Sequence, residues 1–287
     1  MRILDCHSHY GTEKGYLFRT PEALESQRRI WKTEVVYHTE EQMADYFRSN
    51  GVRAILDMGW PSRLPIPEMR DMHDYAFSVQ REFPDAIFGN WINIDPRNGQ
   101  AGVEEFRRCL ELDAGFVGLG IHGPNFGGIP ASDPAWEPYL KLSLDYQRPV
   151  LIHTGLTGIG QGTRGGGGLV IEHCHPRHVD FVAAHYPDLD ILAGRPAYPW
   201  QEDMIAVLLH KANVYYELHG WSPKYVSDSL KKEIRGRLQD RIMFGCDYPV
   251  LRYEKIIADW RSLGLSEEVL EKVFHRNAER FFPGAAP

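Results

Sequence analysis

The sequence of 287 residues has few cysteines, no long apolar run and no excess of positive charge. Its four cysteines, Cys6, Cys109, Cys174 and Cys246, lie far apart and form no CxxC pair, so neither a zinc ribbon nor a disulfide framework is signalled; reduced, buried thiols are expected. No window reaches the ~18 uninterrupted apolar residues that a spanning helix needs, and the opening "MRILDCHSHYG" has no apolar signal core. A cytoplasmic protein without membrane contact follows as the expectation. The net charge of −7 does not supply the basic field that phosphate neutralisation requires, so nucleic acid is not an expected partner. A local basic pocket for a small anionic substrate is still compatible with it. Nor is there a phosphate loop: "TRGGGG" from Thr163 lacks a following Lys-Ser/Thr and opens no helix after a GxGxxG, and reads better as a mobile lid.

What is present is an ordinary globular composition, 43% hydrophobic and 25% charged, with one repeated alternation. Eight short β-rich runs recur: "RILDCH" from Arg2, "VRAILDM" from Val52, "AIFGNWINI" from Ala86, "FVGLGIH" from Phe116, "PVLIHTG" from Pro149, "DLDILAG" from Asp188, "VYYELHG" from Val214 and "RIMFGCD" from Arg241. Between them stand segments such as "EEQMADYFRSN" and "QEDMIAVLLHKA", with apolar residues at helical spacing. Strands alternating with helices without a break in composition predict one α/β domain over residues 1–287, a (β/α)₈ TIM barrel. Residues 10–38 and the glycine-rich stretch after the fifth strand predict long loops at the carboxyl ends of strands, where barrel enzymes carry their active sites.

Chemistry-bearing residues stand at those same ends. His7 and His9 close the first run, and their two-residue spacing on a strand sends both side chains to one face. Trp60 follows the second run, Asn93 lies near the end of the third, His122 closes the fourth and His153 ends the fifth; Arg195 follows the sixth, Glu217 and His219 end the seventh, and Asp247 closes the eighth. Packing alone does not call for polar groups at nearly every exit, since barrel cores favour Val, Ile and Leu. Imidazole and carboxylate donors suit a divalent first-row metal; a hydrogen-bonded polar rim without metal is the competing reading. His173, Cys174, His175 and His178 also cluster, but a helix beginning near Pro176 separates them, and His173 and His175 are weighed as occasional substrate contacts.

The runs "DCHSH", "VLIHTG", "NVYYELHG", "RIMFGCDYP" and the closing "HRNAERFF" resemble, in order and interval, the amidohydrolase-related barrels grouped with aminocarboxymuconate-semialdehyde decarboxylase, over essentially the whole chain. The resemblance implies one divalent metal, zinc first and manganese second, held by His7, His9, His153 and Asp247. It also implies proton handling by Asp247, and a homodimer. Such families hold nonoxidative decarboxylases of aromatic or unsaturated acids, hydratases and hydrolases. One position departs from the pattern: the chain reads "AGRPAYPW" where relatives carry a histidine after the sixth strand, which puts Arg195 in its place. Arginine is always charged and cannot exchange a proton near neutral pH, but it can hold a carboxylate or stabilise developing negative charge. Arg195 is therefore a substrate anchor, an internal ion pair with Asp247 or Glu217, or a mark of lost activity.

The expectation that follows is a metal-dependent carboxy-lyase acting on a small aromatic or unsaturated acid, with Asp247 and Arg195 as catalytic residues. Arg195, Trp60, His122, His219 and Arg164 are the expected substrate contacts. Hydrolysis of a lactone, ester or amide is the alternative, and a barrel that binds a small acid without turnover is a further one.

Overall fold

The computed structural model describes residues 2–112, 115–122 and 128–285. Eight strands form one parallel sheet in chain order: β1 Ile3–Ser8, β2 Val52–Asp57, β3 Ile87–Ile92, β4 Phe116–Ile121, β5 Val150–His153, β6 Ile191–Gly194, β7 Val214–Glu217 and β8 Ile242–Met243. Each coincides with one of the eight apolar runs. The segment leaving β8 closes the barrel against β1. Cys6 N donates to Phe244 O at 2.9 Å, Asp247 N to His7 O at 3.0 Å and His9 N to Tyr248 O at 2.6 Å. This is the (β/α)₈ barrel that the alternation predicts.

The helices are α1 Pro21–Trp31 and α2 Glu40–Ser49 after β1, α3 Ile66–Glu82, α4 Gly99–Glu111, α5 Glu137–Asp145, α6 Arg177–His185, α7 Gln201–His210, α8 Asp228–Arg235, α9 Tyr253–Arg261, and the closing α10 Glu267–Glu271 and α11 Asn277–Phe281. Local sequence explains their starts. At α2, Thr39 and Gln42 form a reciprocal capping box, and Met43, Ala44 and Phe47 bury one face. No helix among the described residues is long and apolar enough to cross a membrane. The first of the two long loops contains α1, an extra helix outside the barrel's ring.

Leu4, Cys6, Ile55, Trp91, Val117, Leu151, Leu192 and Met243, drawn from seven of the eight strands, pack as one apolar layer closed by Phe281 and Phe282. This layer fills the lower barrel. The upper layer is polar, and β1 shows how the change is made. Asp5 pairs with Ala54 and Ser8 with Leu56, so β1 carries one more residue than β2 between the two pairs. The bulge shifts the inward phase from Leu4 and Cys6 below to His7 and His9 above.

Between α3 and α4, the buried Glu105 accepts from His73 Nδ1 at 2.8 Å, Arg70 Nε at 3.0 Å, and Arg108 Nε at 2.8 Å and Nη2 at 2.7 Å. Burial opposes its ionisation, yet Arg108, His73 and Arg70 outweigh burial and hold the carboxyl well below its usual 4.5. The folded carboxyl is thus harder to protonate than the unfolded one. Its stabilisation is complete above pH 4.5 and fades as pH falls through the folded pKa. Glu105→Gln should destabilise the protein at pH 7, and the gap to wild type should narrow as denaturant melts are repeated down to about pH 3. A gap independent of pH would refute this.

Candidate metal and substrate site

The seam between β1 and the β8 exit is fastened by Asp5. Its Oδ1 accepts from His7 N at 3.0 Å and Cys246 N at 3.1 Å, and its Oδ2 accepts from Tyr253 Oη at 2.6 Å and from Ser8 Oγ. Burial pushes the Asp5 carboxyl up to about 7 against these donors. The brace holds the backbone of His7 and of the residue before Asp247 on one carboxylate, so the first and last strands present their side chains in register.

There His9 Nε2 lies 3.0 Å from Asp247 Oδ1 and 3.4 Å from His7 Nε2. Two donors about 2.1 Å from one ion stand about 3.0–3.4 Å apart, so these spacings are those of a shared cation. His7, His9 and Asp247 are all buried. Burial pushes His7 and His153 far below the ordinary imidazole range, so both are neutral and keep lone pairs. His153 has no hydrogen-bond partner on either ring nitrogen among the described residues, and His7 has none on Nδ1. Buried orphan nitrogens of this kind are the signature of a donor set that fits a divalent metal. His9 is pulled both ways, burial lowering it and Asp247 raising it more strongly, while the same contact draws Asp247 below its usual value against burial.

Of the four expected ligands, three gather as one set, His7, His9 and Asp247. His153 lies beside them, its ring centroid 5.0 Å from that of His7, and groups with His7 and His219 and with Asp57 and His122. His219 stacks on His7 at 3.7 Å between centroids. Its Nε2 accepts from Arg195 Nε at 3.2 Å, and its Nδ1 donates to the buried Glu217. This relay sets the His219 tautomer. Glycines on both sides, Gly194 ending β6 and Gly245 just after β8, make room for Glu217: a Cβ at Gly245 would lie 2.2 Å from one carboxylate oxygen and one at Gly194 2.7 Å from the other.

Arg195 and Asp247 share an unusual backbone. Their φ angles are 70° and 74°, in the left-handed region that side chains rarely adopt. Such conformations persist where the surroundings impose them, and here both occur at strand exits beside the histidines. Arg195 makes no ion pair with Asp247 or Glu217 among the described residues; its Nη1 is buried without a hydrogen-bond partner. A buried guanidinium nitrogen without a partner is an incomplete anion site.

His9, Asp247 and Arg195 form the floor of a cavity of about 500 Å³. Phe18 and Trp31 from the β1 loop, Leu156 and Ile159 from the β5 loop, and Trp221 and Val250 wall it. The two loops interlock: Arg29 Nη2 donates to Gln161 O at 3.2 Å, and a Cβ at Gly158 would lie 2.1 Å from Trp31. An apolar slot with a charged floor suits a planar acid.

The other expected contacts lie elsewhere. Trp60 starts a short 3₁₀ turn and stacks under Arg19, with 4.5 Å from guanidinium to ring, rather than lining the cavity. Arg164 sits exposed on the glycine-rich loop, also off the cavity wall. His122 and His219 are buried beneath the floor, in contact with Asp57 and Arg195 respectively. His175 packs against Trp200. The site residues that sequence reasoning passed over are Asp5 and Asp57, buried carboxylates inside apolar runs; their charge within a strand was the available signal.

The amidohydrolase family model matches residues 5–284. No curated protein sequence matches. Among solved structures, a TIM-barrel protein of Bordetella bronchiseptica superposes with a TM-score of 0.75 at 18% identity, covering 98% of both chains. The 2,6-dihydroxybenzoate decarboxylase complexed with 2,6-dihydroxybenzoate gives 0.71 at 16% identity, again over 98% of each chain. The 5-carboxyvanillate decarboxylase of Novosphingobium aromaticivorans, complexed with manganese and 4-hydroxy-3-methoxy-5-nitrobenzoic acid, gives 0.68 at 16%, covering 98% of this chain and 96% of that one. At these identities the superpositions speak for the barrel, whereas the family match spans nearly every residue from the Asp5 brace to the helix that closes the lower core. The chain belongs to the amidohydrolase family.

Proposed function

We propose that the protein is a metal-dependent nonoxidative decarboxylase of a small aromatic or unsaturated carboxylic acid. The observation that carries this reading is Arg195 in the lining of a largely apolar slot, next to the His7, His9 and Asp247 donors and with a buried Nη1 that has no hydrogen-bond partner among the described residues. His7, His9, Asp247 and the adjacent His153 would hold one divalent ion, which supplies Lewis acidity toward substrate oxygens. Zn²⁺ and Mn²⁺ both suit nitrogen and carboxylate donors; the manganese in the 5-carboxyvanillate decarboxylase complex supports testing Mn²⁺ beside Zn²⁺.

Arg195 anchors an anionic group of the substrate through its free guanidinium edge, while Phe18, Trp31 and Ile159 enclose the ring and exclude water. The bond from ring carbon to carboxylate breaks, its electron pair stays on carbon, and CO₂ leaves. Asp247, carrying a proton taken up from water before the substrate closes the slot, would deliver it to that carbon, which takes the place of the departing CO₂. Arg195 need not exchange a proton in this sequence. A cytoplasmic homodimer belongs to the same reading, in keeping with four free buried cysteines.

Hydrolysis of a lactone, ester or amide is the second reading, and the low pKa of Asp247 favours it, because an ionised carboxylate is ready to act as base toward water. Metal-loaded protein incubated in H₂¹⁸O with a panel of hydroxybenzoates and of their lactones, esters and amides separates the two. Stoichiometric CO₂ release with no ¹⁸O in the organic product is expected; ¹⁸O incorporation without CO₂ would replace decarboxylation by hydrolysis.

A further inference from the structure

Below the cavity floor, Asp57 at the end of β2, His122 just after β4 and His153 at the end of β5 bring ligand atoms within 4.8 Å of one another. We propose that these three residues form a second cation site, separate from the His7, His9 and Asp247 set, that takes a divalent first-row transition metal. The inference does not depend on which reaction the enzyme catalyses.

Asp57 is fully buried, and its ion-pair contacts among the described residues are histidines: His122 Nε2 at 2.9 Å and His7 Nδ1 at 3.9 Å. Both of its carboxylate oxygens are buried without a hydrogen-bond partner among the described residues, and a buried carboxylate left so calls for a positive charge. Its Oδ2 and His122 Nε2 stand 2.9 Å apart, close to the ~3.0 Å of two donors at right angles on one ion.

Two further features point the same way. His153 is 1% exposed and has both nitrogens unpartnered among the described residues, with His7 on one side at 5.0 Å and His122 on the other at 4.0 Å between ring centroids, so it has a nitrogen for each set. Gly120 keeps space beside the pair: a Cβ there would lie 3.4 Å from both Asp57 Oδ2 and His122 Nε2. Mixed carboxylate and imidazole donors select Mn²⁺, Fe²⁺ or Zn²⁺ over Mg²⁺ or Ca²⁺.

The test is metal content per chain after chelation and reloading with Mn²⁺, read by elemental analysis, with electron paramagnetic resonance to detect coupling between neighbouring ions. Wild type should hold two equivalents and show a coupled spectrum. Asp57→Asn and His122→Gln should each hold one uncoupled equivalent, and His9→Gln should lose the other. Saturation of wild type at one equivalent, or two equivalents retained in Asp57→Asn, would overturn the proposal. If neither β2 nor β4 variant folds, anomalous scattering from Mn²⁺-soaked wild-type crystals decides: a peak between Asp57 and His122 supports the site, and its absence rejects it.

Discussion

Arg195→Ala is expected to raise KM for an acidic aromatic substrate by about 10²-fold while changing KM for a neutral analogue less than about threefold. The magnitude follows from a charge-assisted hydrogen bond to a partly buried guanidinium, worth about 1.5–3 kcal/mol, or roughly 10- to 150-fold. The direction follows from Arg195 lining the cavity without an ion pair to Asp247 or Glu217 among the described residues, which leaves its charge to the ligand. Had Arg195 been paired with Asp247 or Glu217, its removal would leave a buried carboxylate uncompensated and lower stability with both substrates affected alike. Arg195→Lys should recover only part of the loss, because lysine has no Nε to hold His219 and no fork for a carboxylate. Steady-state kinetics on the acid and its amide, with thermal melts of both variants, distinguish these outcomes. Equal loss on acid and amide would remove the anchor.

Asp247→Asn should lower kcat by about 10³-fold or more, within the 10²–10⁴ range for loss of a positioned proton donor together with a ligand charge. On the proposed reading the carboxylate does two jobs at one position, ion binding with His7 and His9 and proton delivery to the substrate. Asparagine keeps an oxygen donor but accepts no proton. Metal content measured beside kcat separates the roles: retention of the ion with loss of turnover assigns the deficit to the proton, whereas loss of both assigns it to ligation. Wild-type turnover in this variant would exclude Asp247 from the chemistry.

The strands were readable because each is short, apolar and bounded by polar or glycine residues, and a barrel needs nothing more than their number and alternation. His7, His9, His153, Arg195 and Asp247 were readable for the same reason, each standing where a strand stops. What failed was inference about direction beyond the exit. Trp60 follows β2 as His122 follows β4, but a 3₁₀ turn carries it outward beneath Arg19, and no local pattern announces that turn. The β1 bulge is equally silent, since a register exists only between two strands. The cavity walls depend on α1 meeting the β5 loop across 132 residues of chain, from Arg29 to Gln161, a contact that neither segment encodes by itself. Asp57 and Asp5 were passed over because a carboxylate inside an apolar run reads as a strand boundary until its neighbours in space are known.

The Asp5 brace joins residues 241 positions apart, Asp5 to Cys246, and the ligands it aligns stand at the two extremes of the barrel's strand order. On the proposed reading, the His7, His9 and Asp247 ion site is consequently a property of the closed barrel. A chain released only up to β7 has made His7 and His9 but not the carboxylate of that set, which arrives after the last strand. An ion bound there would tie first strand to last and add its binding free energy to the closed barrel.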